Sequence, residues 1–155
     1  FSFITKETNA CLPGYERTAK IALDAVVLKL PEARTHYLTD DERIEVVETA
    51  YKLLDEGFRT APRETKAEMR QNMGTFSTTL FFLTGDRPGK DRYLRRAKRD
   101  YAASIKLYQG LRGGLQAVNE IQAKVARIDN ALRAYDAHLR EEAIKDRERV
   151  RAVYI

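Results

Sequence analysis

In the last third of the chain, Val118, Ile121, Val125, Ile128, Leu132, Tyr135 and Leu139 follow one another at alternating steps of three and four. That spacing holds every apolar residue on one stripe of an α-helix, whereas a strand would scatter them over both faces. A stripe this narrow is stable only against another helix, and it packs at about +20°, the geometry of four-helix bundles and coiled coils. Beyond Leu139 the stripe fades into REEAIKDRERVRAVYI. Residues 140–155 are therefore expected to form a charged extension that can carry the helix past the body.

The same logic organises the rest of the chain. Residues 1–14 have no sustained period and end on Pro13-Gly14, which reads as an extended N-terminal arm. A first helix is predicted from Tyr15 to Leu30, with Ala19, Ala22, Leu23, Val26 and Val27 at helical spacing and Pro31 as its stop. After a connector at 31–38, Thr39-Asp40-Asp41-Glu42 has the form of a capping box, and Ile44, Val47, Tyr51, Leu54 and Phe58 line one face of the helix that follows. Pro62 opens a third helix through Met69, Met73, Phe76, Leu80 and Leu83. Gly74 interrupts it at a cost of about 1 kcal/mol relative to Ala, a choice that suits close approach of a neighbouring helix. Asp86-Arg87-Pro88-Gly89 is a turn, and a fourth helix runs from Asp91 to about Leu111 with Leu94, Ala97, Tyr101, Ile105 and Tyr108 on its apolar side. Gly113-Gly114 separates it from the last helix. The expectation is an all-α, up-down four-helix bundle over residues 15–139, with an additional N-terminal helix and an extended N-terminal arm.

Composition is consistent with one such domain. The chain has 155 residues, 43% of them apolar and 33% charged, enough to bury a core without metals or disulfides. Its longest strongly apolar run, Leu80–Leu83, is far short of the roughly 20 residues that span a bilayer. The lone Cys11 permits no internal disulfide, and Phe1 at the start suits a processed or trimmed chain whose address label has been lost.

Catalytic chemistry is poorly supplied. His36 falls in a connector, and His138 lies near the end of the last helix with Glu141 and Glu142 just beyond. A di-metal bundle site needs a Glu three residues before such a His, and residue 135 is Tyr. Gly85-Asp-Arg-Pro-Gly89-Lys90 is one residue short of phosphate-loop spacing, is followed by Asp91, and loses an amide at Pro88. Cys11 has no neighbouring base, and the Asp40–Glu48 acidic cluster is helix-start chemistry on a solvated face. The chain is expected to be no enzyme and to hold no cofactor or metal.

Charge is the informative property. The net +5 is concentrated, because residues 86–112 hold nine Lys/Arg against three Asp, a local +6. At 100° per residue Arg92, Arg95, Arg96, Arg99 and Lys106 fall together, away from Leu94. These five are the candidate partner-binding residues. The stripe reads as an ordinary solvated face, as a surface for acidic protein, or as a phosphate-binding face for nucleic acid. Against nucleic acid, Tyr101 and Tyr108 fall on the apolar side and leave no stacking platform among the arginines.

A further set of residues points to a family. Phe58 and Pro62 are followed by Met69-Arg70, then Met73, Phe76 and Leu80; Ile105 and Arg112 are followed by Val125-Ala-Arg-Ile128-Asp129-Asn-Ala-Leu132. In this order, over about residues 40–135, the chain resembles the PsbQ-type extrinsic subunits of photosystem II, small basic four-helix bundles of the oxygen-evolving enhancer group. The first helix and the charged C-terminal extension depart from the plant pattern. The resemblance implies a chloroplast protein of the thylakoid lumen, peripheral to the membrane, without catalysis or cofactor of its own. Such a protein supports photosynthesis by docking on acidic lumenal surfaces and helping to retain the ions of water oxidation.

Overall fold

A computed structural model describes residues 39–85 and 87–154. Among them the regular structure is helical throughout: α1 (Asp40–Phe58), α2 (Arg63–Leu83), α3 (Asp91–Gln109) and α4 (Leu115–Tyr154). Short connections at 59–62, 84–90 and 110–114 fold successive helices back on one another as an up-down bundle, and α1 packs on α2, α2 on α3 and α3 on α4. The predicted arm, the predicted 15–30 helix, Cys11 and His36 lie outside the described residues.

The helix ends follow local chemistry. Thr39 Oγ1 accepts from the Glu42 amide at 3.2 Å, and the Thr39 amide donates to Glu42 Oε1 at 3.1 Å, so the capping box is complete. Asp40, Asp41 and Glu42 stand at the positive end of the α1 dipole, where their charge is stabilised. Pro62 is the residue just before the first turn of α2, one position earlier than the first-turn placement expected for it. Gly85, Gly89 and Gly113 turn the chain at φ of 60°, 74° and 77°, a region that side-chain-bearing residues avoid.

The core is drawn from all four helices: Val47 and Leu54, Met69, Met73 and Leu80, Leu94 and Ala97, and Ile121 and Ile128 are all buried. The pairing of α2 with α3 is the most extensive, and Gly74 contributes to it. A Cβ built there would stand 2.6 Å from the Tyr101 ring, so the glycine makes room for the tyrosine. Tyr101 is locked in place by a 2.9 Å hydrogen bond between its hydroxyl and Thr75 Oγ1.

The α4 stripe is buried at Val118, Ile121, Ile128 and Leu132, but Leu139 is 47% exposed and has left the body. The reason is length. With 40 residues α4 runs about 60 Å, twice the reach of the helices of 19 to 21 residues it packs against. The charged extension continues as unbroken helix through Tyr154, with nearly every described side chain beyond Tyr135 open to solvent. No helix among the described residues is long and apolar enough to cross a membrane.

Candidate docking face on the third helix

The basic stripe rests on a buried polar anchor. Asp100 is fully buried, yet its carboxylate is satisfied: Tyr51 Oη of α1 donates to one oxygen at 2.7 Å, and Arg70 Nη1 of α2 to the other at 2.9 Å. Arg70 also lies over the Phe58 ring, 4.2 Å from its centroid. Three helices thus meet on one carboxylate, which fixes the rotation of α3 about its axis. Burial, reinforced by the hydrogen bond to the Asp100 carboxylate, pushes the Tyr51 hydroxyl up to about 12, so it remains a donor across the physiological range.

With α3 held this way, its arginines divide into two classes. Arg96 leans toward α1, donating to Glu48 at 3.1 Å and to Ser77 of α2 at 2.8 Å, with its guanidinium 3.6 Å from the Tyr51 ring centroid. It is half-buried and built into the packing. Arg95 leans the other way, bonded to Asp91 at 3.1 Å and paired with Asp136 of α4 at 3.8 Å. Arg92 and Arg99 lie between them and are exposed, with no carboxylate at ion-pair distance among the described residues. Arg92 donates to the neighbouring Tyr93 hydroxyl at 3.0 Å, and this bond raises the Arg92 pKa above its ordinary value. Lys106 is exposed two turns further along the same stripe. Lys98, on the α4 side, is paired with Asp129 at 2.7 Å.

Together Arg92, Tyr93, Arg95, Arg96 and Arg99 line a shallow concavity of about 490 Å³. Four of the five predicted residues are therefore brought to one place, and Lys106 extends the line. Guanidinium groups stay protonated at any physiological pH, so the concavity can bind anions. Among the described residues no cluster of three His, Cys, Asp or Glu could hold a metal ion, and His138 is exposed on the α4 overhang.

Sequence reasoning did not anticipate Glu48, Ser77 and Asp136. They come from other helices, and nothing in the spacing of α3 points to them. Asp100 was legible only as one acid in a basic segment. At about 120° from Leu94 on the wheel it falls beside the basic stripe rather than on the apolar side, so periodicity gave no signal that it is buried.

No protein-family model, curated protein or solved structure matches this chain. Fold and face together describe a helical bundle that presents a row of exposed cations without carboxylate partners among the described residues.

Proposed function

We propose that the chain is a non-enzymatic docking subunit that attaches peripherally, through the α3 face, to acidic protein surfaces of a photosynthetic membrane complex. The observation that carries docking is the row Arg92, Arg99 and Lys106. These are exposed cations without carboxylate partners among the described residues, on a helix whose inner side is pinned by Asp100. A row of this kind on a fixed helix attracts an acidic surface over about 8–10 Å at physiological salt. The resemblance to PsbQ-type subunits supports photosystem II, the lumenal side of the thylakoid and a role in oxygen evolution as the setting. The four-helix body agrees with that reading. Arg70 of the resembling Met69-Arg70 pair has a structural role, as the partner of Asp100.

Nucleic acid is the lesser reading. Tyr93 and Tyr101 of α3 are both buried, so the face offers phosphate contacts without base stacking. Washing isolated thylakoids at rising ionic strength tests the proposal. The protein is expected to leave the membrane with salt, and an Arg92→Gln/Arg99→Gln/Lys106→Gln variant to rebind poorly at low salt. Retention through high-salt washing, or full rebinding of the variant, would refute it. Measurable affinity for a mixed-sequence duplex at low salt, with a slope in salt that the variant reduces, would move the assignment to nucleic acid.

A further inference from the structure

On the other flank of α4 a second surface is open, between α2 and α4, with a volume of about 400 Å³. Its floor is Leu94, Tyr101 and Ile128, all buried side chains of the core. Three threonines form the α2 wall, and their hydroxyls are already committed to the helix backbone: Thr75 to the Gln71 carbonyl at 3.2 Å, Thr78 to Gly74 at 2.9 Å and Thr79 to Thr75 at 2.9 Å. The wall is therefore apolar in effect. At its end Phe82 is 71% exposed, although Phe58, Phe76 and Phe81 are each wholly or partly buried.

The α4 wall differs in kind. Lys124 and Arg127 face the groove, and neither has a carboxylate partner among the described residues. Lys124 Nζ stands 5.8 Å above the Tyr101 ring, over the apolar floor rather than out in solvent. A trough whose threonine donors are all spent, walled on one side by two cations without carboxylate partners among the described residues, complements a molecule with an alkyl body and one negative end. Its length selects further. From Thr75 to Phe82 the α2 wall rises about 10 Å, or two turns, a length that a medium-length acyl chain matches.

We propose that this groove binds a monomeric acyl carboxylate, with the carboxylate on Lys124 and Arg127 and the chain laid over Leu94 and Ile128 toward Phe82. The site is independent of the α3 face and does not rest on the photosynthetic reading. Calorimetric titration of the full chain with decanoate and with decanol, both below their aggregation limits, separates charge from chain. Decanoate is expected to bind about tenfold more tightly than decanol, the worth of one charge-assisted contact of about 1.4 kcal/mol. Lys124→Gln/Arg127→Gln should bring decanoate down to the decanol level and leave decanol unchanged, with far-ultraviolet circular dichroism showing that the helical fold is retained. Phe82→Ser should weaken both ligands alike. Equal affinities for the two ligands in the unmodified chain, or an unchanged decanoate affinity in the double variant, would overturn the assignment. So would a response confined to vesicles of anionic lipid, or to an acidic amphipathic helical peptide, either of which would give the groove a different occupant.

Discussion

Replacing Asp100 with Leu tests whether the three-helix anchor holds α3 as described. The substitution removes the acceptor of both the Tyr51 hydroxyl and Arg70 Nη1, at a site that is fully buried. Leaving a buried hydroxyl unpaired costs about 1–3 kcal/mol, and breaking a fully buried ion pair about 3–5 kcal/mol. Arg70 retains 21% side-chain exposure, so water can recover part of its loss, and the total falls at about 3 kcal/mol. Urea unfolding followed by far-ultraviolet circular dichroism measures it, with the midpoint falling at an unchanged slope. A partner experiment isolates the charge. Arg70→Met in the Asp100→Leu background removes the stranded cation, and the double variant should recover about 1–2 kcal/mol. A loss below about 1 kcal/mol for Asp100→Leu, or strict additivity of the two changes, would refute the idea that Asp100 joins the helices.

Gly74→Ala should destabilise by about 1–2 kcal/mol in the same assay, because the clash with the Tyr101 ring outweighs the gain of about 1 kcal/mol in helix propensity. Tyr51 makes stability fall in alkali: its hydroxyl titrates near 10 in the unfolded chain and about 12 in the fold, so the folded state keeps a proton the unfolded state gives up. The stabilisation is fully present below pH 10 and is lost as pH rises through about 12, by about 1–2 kcal/mol once solvent screening is allowed for, and Tyr51→Phe should flatten that part of the pH–stability curve. Deleting residues 140–155 should leave the melting temperature within about 2 °C of the full chain, because the overhang buries almost nothing against the body.

Much of the fold was legible in the residue spacing. The capping box at Thr39 and Glu42 is a local device, fixed by four consecutive residues, and it formed as read. The α4 stripe was equally plain because helical periodicity needs no knowledge of the partner, and Gly74 announced a close contact through its cost to the helix. Yet spacing could not say that Leu139 lies beyond the body. That depends on where α2 and α3 end, a property of the assembly rather than of the α4 pattern.

The candidate face divides in the same way. Sequence alone placed Arg92, Arg95, Arg96, Arg99 and Lys106 on one stripe of α3, since angular position follows from the helical repeat. Only the tertiary structure decided which of these charges remain available. Glu48 and Ser77 take up Arg96, Asp136 reaches Arg95, and Arg92, Arg99 and Lys106 are left outward. The physical reason is that the partners of Arg96, and Asp136 beside Arg95, come from helices 19 to 48 positions away in the chain. Such pairing is set by the rotation and stagger of whole helices, and here the buried carboxylate of Asp100 fixes that rotation.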